Sequence, residues 1–482
     1  MATTHYYDAI VLGSGQSGNP VAKAFANAGR KTAVIERTAL GGTCVNVGCT
    51  PTKTMIASGR AAYMTRRGRD YGVQAGDGRV EVDMARVRQR KRAIVEQWNS
   101  GSVKGLETAG VEVIMGDASF VSDRKLKLVL NGGGEREVSA ETVFINVGER
   151  SSRPDIPGLD GVDPARVLNS TTIMELDEVP QHLVVLGGGY IGLEFGQLFS
   201  RLGADVTVIQ RARQLVPRED PDVAECLLDV LQQDGIAVHL SSTVDSISGA
   251  RDKDASAPFT VSVQTLMGQK QVSGSHLLLA TGRVPNTDGL NLGEAGIKTT
   301  AKGHIVVDDR LQTTASGVYA LGDCHGGAAF THMSYDDFRI IRTNLLPETM
   351  PSTAPATPTT QNSISRVLTP YVVYTDPQLG HVGLHARDLA SSMREIKVAK
   401  MPMSYVARAL ETAEPRGMMK ATVDANTGEI LGFTCLGLEG GEIMSIVQTA
   451  MMGRLKWWDL EAAVYAHPTL AESLNNMWAT LE

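Results

Sequence analysis

The sequence predicts an α/β protein in which one strand–turn–helix unit occurs twice and is followed by a third, α+β region. A glycine-rich turn follows a short apolar strand near the N-terminus, and a second turn of the same design begins at residue 187. A stretch rich in proline, threonine and alanine then separates these units from a C-terminal region of alternating strands and one amphipathic helix. These observations favour two Rossmann-like domains and an additional α+β domain.

Length and composition are typical of a multidomain globular protein. The 482 residues exceed what one hydrophobic core usually serves. Apolar residues make up 42% of the chain, and no apolar run approaches the roughly 20 residues of a membrane span. The net charge of -7 gives no basic surface for nucleic acid. Small molecules are the expected partners, and the cytoplasm is the expected compartment, because the N-terminus carries no pattern of a secretory signal.

The first unit has the pattern of a dinucleotide-binding turn. The strand YDAIVLG runs into Gly13, Gly15 and Gly18, a helix follows, and the second strand, TAVIE, ends at Glu36. Glycines at this spacing let the backbone approach a pyrophosphate, which faces the free N–H groups at the helix start. A carboxylate about 20 residues after the turn can accept hydrogen bonds from a ribose diol. Glu36 therefore favours FAD as the cofactor.

The second unit repeats this pattern but differs at the residue that ends its second strand. Its turn again has three glycines: Gly187, Gly189 and Gly192. The second strand ends at Gln210 instead of an acid, and Arg211 and Arg213 follow. Two guanidinium groups favour a ribose with a 2′-phosphate, so NADPH is preferred over NADH. The alternative is that both arginines are solvated surface residues.

Three further segments are predicted to be buried strands that end in a glycine turn: ETVFINVGERSSRPDIPG, HLLLATGRVPNT and GVYALGD. The first two are expected to cross between the nucleotide domains. A carboxylate at such a strand end can bind cofactor hydroxyl groups, whereas a lone aspartate is more often a cap. Gly148 and Asp323 are accordingly assigned to FAD, and Gly282 to NADPH.

The segment GGTCVNVGCTPTK is predicted to carry the redox chemistry. Cys44 and Cys49 stand five residues apart behind Gly41 and Gly42, which let the backbone pass close to a flat cofactor. If Cys49 opens a helix, the positive end of the helix dipole lowers its pKa and stabilises the thiolate. Lys53 follows one helical turn later and is expected to face the same cofactor.

Less specific interpretations of this segment remain open. The cysteines can be core residues, and Lys53 alone can be a solvated surface lysine. A structural zinc site is poorly supported because no second pair of Cys or His lies at ligand spacing, and no metal site is expected in the chain. The redox interpretation is preferred, since two electron carriers need a terminal acceptor.

Near the C-terminus, His467-Pro468-Thr469 and Glu472 predict an imidazole held by a carboxylate. The carboxylate would fix the tautomer of the ring and raise its basicity, as a proton shuttle for a leaving thiolate requires. A lone histidine before proline is more often structural or exposed. The cysteine pair earlier in the chain favours the catalytic interpretation.

The order of these motifs resembles the class I pyridine nucleotide-disulfide oxidoreductases, the family of glutathione reductase, dihydrolipoamide dehydrogenase and mercuric reductase. The resemblance covers essentially the whole chain and rests on the first glycine turn, GGTCVNVGCTPTK, GGGYIGLEFG, ATGRVPNT, GVYALGDC and HPTLAE. It implies that Cys49 is the charge-transfer thiol against the flavin and that Cys44 is the interchange thiol that attacks the substrate.

The resemblance implies further roles. Lys53 would pair with Glu194 beside the flavin, and Tyr190 would gate the nicotinamide pocket. His467 and Glu472 would form an acid/base dyad contributed across a dimer interface, so a twofold homodimer with composite active sites is expected. The remaining FAD contacts are assigned to Gly42 and Thr43.

The implied organisation has a discontinuous first domain. The expected ranges are 1–155 and 281–348 for the FAD-binding domain, 156–280 for the NAD(P)H-binding domain, 349–363 for a linker and 364–482 for the dimerisation domain.

The implied reaction passes hydride from NADPH through FAD to a Cys44–Cys49 disulfide and on to a low-molecular-weight disulfide. The first alternative is reduction of a metal ion, Hg(II) or Cu(II). Mercuric reductases share the cysteine segment but carry a C-terminal cysteine pair, and this chain ends in MWATLE. FTHMSYDDFRIIRTNLL and HPTLAESLNNMW resemble instead flavoproteins tied to reactive-chlorine resistance and copper(II) reduction. The second alternative is a flavoprotein redox sensor that acts through partner binding.

Overall fold

The computed structural model describes residues 5–74, 80–249, 257–349, 363–364, 368–390 and 392–482. Apart from its two end residues, the expected linker 349–363 lies outside the described residues. The chain divides into two units. Unit 1 comprises Met1–Thr54, Gln89–Ser152 and Gly282–Arg366, and unit 2 comprises Met55–Arg88, Arg153–Thr281 and Val367–Glu482.

Strands are distributed along nearly the whole chain. The first strands are β1 (His5–Leu12), β2 (Thr32–Glu36), β3 (Glu112–Ser122), β4 (Lys125–Leu130), β5 (Glu135–Ile145), β6 (Glu149–Ser151), β7 (Val167–Leu168), β8 (His182–Leu186), β9 (Asp205–Ile209) and β10 (Ala237–His239). The later strands are β11 (Thr243–Ser248), β12 (Phe259–Thr265), β13 (Gly268–Gly274), β14 (His276–Leu279), β15 (Arg283–Pro285), β16 (Val318–Ala320), β17 (Tyr371–Val373), β18 (Gln378–Gly383), β19 (Ile396–Pro402), β20 (Met418–Asp424) and β21 (Ile430–Gly437).

The α-helices are α1 (Gly18–Asn27), α2 (Gly42–Asn46), α3 (Cys49–Arg66), α4 (Met84–Thr108), α5 (Tyr190–Leu202), α6 (Pro221–Gln233), α7 (Thr331–Leu345), α8 (Ala386–Leu389), α9 (Ala407–Glu411), α10 (Gly440–Met452), α11 (Trp457–Ala462) and α12 (Ser473–Asn476). The 3-10 helices are Gly68–Tyr71, Leu159–Gly161, Pro164–Arg166, Thr172–Glu175, Leu292–Ala295, Gly322–His325, Pro347–Thr349, Met403–Tyr405 and Met477–Thr480. None of the helices in the described part of the chain combines the length and hydrophobicity that a membrane span requires.

Unit 1 is built on a sheet whose parallel part has the order β3-β2-β1-β5-β16. β2 is buried along its whole length, as expected for a strand covered on both faces. β4 pairs antiparallel with β3 and β5. Because the carboxyl ends of parallel strands meet at one edge, the residues that follow β1, β2, β5 and β16 lie together at the place where such sheets bind ligands.

Unit 2 contains a second parallel sheet, with the order β10-β9-β8-β14-β7. The residues that follow β8, β9 and β14 therefore share one edge. β11, β12 and β13 form a separate antiparallel sheet.

The C-terminal sheet of unit 2 is antiparallel, with the order β17-β18-β21-β20-β19. β21 is buried throughout, and α10 packs its apolar side, including Ile443 and Val447, into the same core as Phe433. The predicted fold class, two parallel α/β layers and a C-terminal α+β region, is confirmed.

Candidate functional site

The first glycine turn packs too tightly for a side chain at Gly13 or Gly18. Gly13 follows β1 with φ of 93°, a conformation that favours glycine. A Cβ on Gly13 would lie 2.4 Å from the carbonyl oxygen of Asn146, and a Cβ on Gly18 would lie 2.2 Å from the carbonyl oxygen of Gly13. α1 begins at Gly18, so its first N–H groups point into the turn. This backbone cradle fits a pyrophosphate.

Glu36, the last residue of β2, is tied to this turn through Ser14. Its Oε2 accepts hydrogen bonds from the backbone N–H of Ser14 at 3.0 Å and from the Ser14 hydroxyl at 2.7 Å. Its Oε1 accepts a hydrogen bond from the N–H of Thr38 at 2.9 Å. The Ser14 oxygen also accepts from the N–H of Gly41 at 3.0 Å. The carboxylate, the turn and the start of the cysteine segment thus form one hydrogen-bonded network.

Asn146, the first residue after β5, connects the same turn to the neighbouring strand end. Its Nδ2 donates to the carbonyl oxygen of Gly13 at 3.2 Å, and its Oδ1 accepts from the hydroxyl of Ser17 at 2.7 Å. The Ser17 hydroxyl also lies 3.1 Å from that of Ser334 on α7. Sequence reasoning missed these residues, although the position of Asn146 directly after a buried strand was a usable signal.

Asp323 lies in the 3-10 turn Gly322–His325 that follows β16. Burial raises the pKa of its carboxyl to about 6, against the opposing effect of Arg283. The turn is held by Asp337 of α7, whose Oδ2 accepts from the N–H of Gly322 at 2.7 Å and lies 3.1 Å from Nε2 of His325. Asp337, which was not predicted, therefore positions the backbone that carries Asp323.

The two cysteines are brought together at the junction of two helices. Cys44 lies in α2, and Cys49 is the first residue of α3. A hydrogen bond with Cys49, followed by burial, raises the pKa of the Cys44 thiol. The Sγ of Cys49 lies 3.4 Å from Oγ1 of Thr331. Cys49 is exposed, and Cys44 is partly buried.

The segment that carries the cysteines packs on the first turn. A Cβ on Gly42 would lie 2.6 Å from the Cα of Gly15, so the two backbones are in direct contact. Thr43 is exposed, and Lys53 lies within α3 on the same unit. The thiols therefore stand beside the nucleotide turn of unit 1 itself.

The second turn, in unit 2, has the same construction as the first. A Cβ on Gly187 would lie 2.3 Å from the carbonyl oxygen of Ala280, which follows β14. A Cβ on Gly192 would lie 2.1 Å from the carbonyl oxygen of Gly187. Gly189 precedes α5, and within the described residues no atom lies within 4 Å of its ideal Cβ. The turn is open to solvent at this glycine.

Gln210 takes the place that Glu36 has in the first unit. Its Oε1 accepts a hydrogen bond from the N–H of Gly188 at 3.1 Å, and its Nε2 donates to the carbonyl oxygen of Gln214 at 3.1 Å. Arg211 and Arg213 are exposed beyond the strand end. A neutral amide therefore bonds to the turn, and two exposed cations follow the end of the strand.

The other predicted residues are divided between the units. Glu194 of α5 is buried, and its Oε1 accepts a hydrogen bond from the N–H of Tyr374 at 2.9 Å. Tyr190 opens the same helix. Lys53 belongs to unit 1, so its pairing with Glu194 stays a prediction. Gly148, which follows β5, also belongs to unit 1.

Gly282, assigned to NADPH, opens the last segment of unit 1 rather than lying in unit 2. Its carbonyl oxygen accepts hydrogen bonds from the N–H and the hydroxyl of Ser152, both at 3.0 Å. Its contact with the nicotinamide cofactor stays a prediction.

His467 and Glu472 form the expected pair in unit 2. The Nδ1 of His467 lies 2.9 Å from Oε2 and 3.1 Å from Oε1 of Glu472. The imidazole is 69% exposed, whereas the carboxylate is 29% exposed. With Nδ1 held by the carboxylate, Nε2 is directed away from it and can exchange a proton with a bound molecule.

Two parallel sheets with dinucleotide turns, a dithiol on the first turn and a carboxylate-held imidazole define a nucleotide-dependent thiol–disulfide oxidoreductase. The family model described as pyridine nucleotide-disulphide oxidoreductase matches residues 7–338, and the dimerisation domain of that family matches residues 369–478. The chain therefore belongs to the class I pyridine nucleotide-disulfide oxidoreductases, which confirms the predicted family and enzyme class.

Curated relatives span nearly the whole chain. The probable pyridine nucleotide-disulfide oxidoreductase RclA of Escherichia coli (strain K12) is 34% identical over 99% of this chain and 99% of its own. The mercuric reductase of Bacillus cereus is 32% identical over 97% of this chain and 70% of its own. The dihydrolipoyl dehydrogenase of Bacillus subtilis (strain 168) is 30% identical over 96% of both chains.

Solved structures agree with this assignment. The HOCl-induced flavoprotein disulfide reductase RclA from Escherichia coli superposes with a TM-score of 0.84 at 33% identity, covering 98% of this chain and 99% of that chain. The Cu(II) complex of the same protein gives a TM-score of 0.85 at 32% identity and covers 99% of both chains.

The family is FAD-dependent and uses NAD(P)H, and the residues present fit both cofactors. In each turn a Cβ would collide with the turn's own backbone, at Gly18 in unit 1 and at Gly192 in unit 2, so both turns require glycine to bring their backbone N–H groups together. The carboxylate of Glu36 stands beside the first cradle, and the exposed Arg211 stands beside the second. The matched dimerisation domain fits a homodimer.

Proposed function

We propose that this protein is an FAD-dependent NADPH:disulfide oxidoreductase that reduces a low-molecular-weight disulfide. The observation that carries the proposal is the contact between the thiols of Cys44 and Cys49 in a segment packed on the first nucleotide turn. Bound FAD would supply the electron relay between NADPH and the Cys44–Cys49 disulfide. The dithiol is the form that can return two electrons to a substrate.

Substrate reduction proceeds by two thiol–disulfide exchanges. The Cys44 thiolate attacks one sulfur of the substrate, RSSR; the S–S bond breaks, a mixed disulfide forms on Cys44, and RS⁻ leaves. The Cys49 thiolate then attacks the Cys44 sulfur, releases the second RS⁻ and closes the Cys44–Cys49 disulfide. The thiols lose two electrons and two protons, and the substrate gains both as two RSH.

His467 of the partner subunit moves the protons. The pKa of the Cys44 thiol is raised by its hydrogen bond with Cys49 and by burial, so a base must take its proton before attack. The Nε2 of His467 accepts this proton and returns it to the leaving RS⁻. Glu472 holds Nδ1 at 2.9 Å and stabilises the imidazolium between these two steps.

An anaerobic titration of the purified flavoprotein with NADPH tests the thiol roles. The thiolate of Cys49 against an oxidised flavin gives a charge-transfer absorbance, which Cys49→Ser should abolish and Cys44→Ser should retain. Cys226→Ser, at a partly buried cysteine of α6, is the matched control and should behave like the wild type. A charge-transfer band that survives in Cys49→Ser would refute the assignment.

The preference for NADPH rests on the exposed Arg211 and Arg213. Arg211→Glu should lower kcat/KM for NADPH at least tenfold and leave that for NADH nearly unchanged, because a carboxylate repels the 2′-phosphate. Arg310→Glu, at an exposed arginine of unit 1, is the control. Unchanged discrimination between the two nucleotides in Arg211→Glu would contradict the assignment.

Reduction of Cu(II) is the second candidate function. It is favoured by the relative whose solved structure is a Cu(II) complex and by the dithiol, since thiolates stabilise Cu(I). Each Cu(II) takes one electron, so two ions would be reduced per NADPH. Steady-state NADPH oxidation with a panel of disulfides and with Cu(II) or Hg(II) separates the candidates. Sustained turnover with a metal ion and none with any disulfide would replace the first proposal.

A further inference from the structure

The β9–α6 loop, residues 210–220 of unit 2, contains one residue with a strained backbone. Val216 has a φ of 37°. This left-handed conformation is costly for a β-branched residue, and it persists only where the surrounding structure holds it. Val216 is also buried, with 7% of its surface exposed. Strain at a buried position beside a nucleotide turn indicates that the position of the loop serves that turn.

The β9–α6 loop contacts the second glycine turn at Gly188. The N–H of Val216 donates to the carbonyl oxygen of Gly188 at 2.8 Å. The N–H of Gly188 donates to Oε1 of Gln210 at 3.1 Å, and Nε2 of Gln210 donates to the carbonyl oxygen of Gln214 at 3.1 Å. Leu215 packs beside the turn, because a Cβ on Gly188 would lie 2.6 Å from its Cδ2. Both backbone polar groups of Gly188 are therefore held by the loop.

The same loop is bound by the guanidinium of Arg387, on α8. Its Nη1 donates to the carbonyl oxygens of Pro217 at 2.7 Å and Glu219 at 2.9 Å. Its Nη2 donates to the carbonyl oxygen of Arg218. One planar, forked donor thus bonds the three consecutive carbonyl groups that follow Val216. These bonds restrain the main chain directly after the strained residue.

The loop also makes a contact in return. Asp220 is buried, and its two carboxylate oxygens accept hydrogen bonds from the N–H groups of Ala386 and Arg387, both at 3.2 Å. The Nζ of Lys420, on β20, lies 2.7 Å from the same carboxylate. Arg387 and Lys420 lie in the matched dimerisation domain and the loop lies before it, although all belong to unit 2. The loop and α8 therefore restrain each other.

We propose that Arg387 is a positioning residue for the nicotinamide nucleotide and that it acts through the strained loop at Val216. The guanidinium holds the carbonyl groups after Val216, and Val216 and Gln210 hold Gly188. The backbone N–H groups of this turn would face the pyrophosphate. Because NADPH and NADH share the pyrophosphate, Arg387 acts on the affinity for both. The inference rests on the proposed use of the second turn by a nicotinamide nucleotide.

Calorimetric titration of the FAD-loaded, full-length protein with NADP⁺ tests the proposal, because the oxidised nucleotide binds without reducing the flavin. Arg387→Met keeps a long side chain but removes every donor, so the Kd for NADP⁺ should rise at least about tenfold. Arg394→Met, at an exposed arginine of the same unit, is the matched control and should keep the wild-type Kd. A wild-type Kd in Arg387→Met would overturn the proposal.

Stopped-flow reduction of the flavin separates positioning from a general structural role. In Arg387→Met, the NADPH concentration that gives half of the limiting rate should rise at least about tenfold, while the limiting rate stays within about twofold of the wild type. The second-order rate constants for NADPH and NADH should fall by the same factor, whereas Arg211→Glu should change their ratio. A lower limiting rate with an unchanged half-saturating concentration would contradict the positioning role.

Arg387→Lys keeps the proposal testable if Arg387→Met fails to fold. It retains the charge but loses the planar fork, so the Kd for NADP⁺ should still rise at least about threefold. A wild-type Kd in Arg387→Lys would show that charge alone suffices and would exclude the role of the three hydrogen bonds.

Hydrogen exchange of the nucleotide-free, FAD-loaded protein reports on the loop itself. The amide of Val216 should exchange faster in Arg387→Lys than in the wild type, whereas the amides of β8 should stay protected. Equal exchange at Val216 in both proteins would refute the restraint by Arg387. A wild-type protein that binds neither NADP⁺ nor NAD⁺ would refute the proposed function as well, and that result is distinct from an unaffected variant.

Discussion

At the scale of single residues, the predicted site residues include a buried carboxyl and an exposed imidazole. The carboxyl of Asp323 is buried at a strand end, and burial raises its pKa to about 6. The imidazole of His467 is exposed and paired with a partly exposed carboxylate. The first group suits hydrogen bonding to a bound cofactor, and the second suits repeated proton transfer.

Asp323→Asn should stabilise the FAD-free protein at neutral pH. The carboxyl has a pKa of about 6 when folded and about 3.9 when unfolded, so it contributes stability below pH 3.9 and loses it as the pH rises through 6. The variant should therefore exceed the wild type by up to about 3 kcal/mol at pH 7 and match it near pH 4. Thermal unfolding across this range measures the difference. An equal Tm difference at both pH values would contradict the raised pKa.

His467→Gln should lower kcat with disulfide substrates about 10²- to 10⁴-fold, because it removes the acid/base group while keeping the size of the side chain. The charge-transfer absorbance on NADPH addition should persist. Glu472→Gln should have a smaller effect, since an amide can still hold the ring. Stopped-flow and steady-state kinetics separate the two half-reactions. A His467→Gln variant with wild-type turnover would exclude the proton-transfer role.

At the scale of elements, the two glycine turns follow one design with different closing groups. In each unit, the residue that follows a neighbouring strand contacts the turn. This residue is Asn146 in unit 1 and Ala280 in unit 2. A side chain at the end of the second strand then bonds back to the turn, as a carboxylate in Glu36 and as an amide in Gln210. The geometry is kept while the side chain that bonds to the turn changes from a carboxylate to a neutral amide.

Gly192→Ala should abolish NADPH binding while FAD stays bound. The new Cβ would lie 2.1 Å from the carbonyl oxygen of Gly187, so the turn must open. Gly196→Ala on the same helix is the matched control, because its Cβ would meet only side-chain atoms at 3.6 Å or more. The control should gain stability, by about 1 kcal/mol, from the helix propensity of alanine. Equal NADPH affinities in both variants would contradict the steric role of Gly192.

Sequence patterns predicted the strand–turn–helix units and the helix that starts near Cys49, since glycine spacing and apolar periodicity are local signals. The polar groups that join the strand ends were missed. Ser14 meets Glu36 only when β1 and β2 pair, and Asn146 meets Gly13 only when β1 and β5 pair. Asp337 meets Gly322 only when α7 packs beside the end of β16. Contacts that depend on strand order are not encoded in any single window of sequence.

At the scale of the whole molecule, the C-terminal part of unit 2 exposes several large apolar side chains. They are Val464 (100% exposed), Tyr405 (74%), Leu410 (55%), Met452 (52%), Leu455 (45%) and Trp458 (44%). We expect a second copy of the chain to cover these side chains in the homodimer, which would remove their apolar surface from water. The matched dimerisation domain includes all of these positions.

Val464→Asp should weaken the dimer at least tenfold, because it places a charge three residues before His467 in this surface. Turnover with disulfides should fall in parallel with the dimer fraction, while reduction by NADPH persists within each chain. Leu266→Asp, at the exposed turn between β12 and β13, is the control. Analytical ultracentrifugation and kinetics at matched concentrations test both. A monomeric variant with full disulfide turnover would rule out a composite site.

The two glycine turns differ in what packs against them. In unit 1 the backbone at Gly42 rests against Gly15, whereas at Gly189 in unit 2 the space beyond the backbone is open for 4 Å among the described atoms. We expect the packed cysteine segment to slow the release of a nucleotide from the first turn, whereas no such backbone contact opposes release at Gly189. One turn design would then serve a nucleotide that stays for many turnovers and another that is exchanged in each.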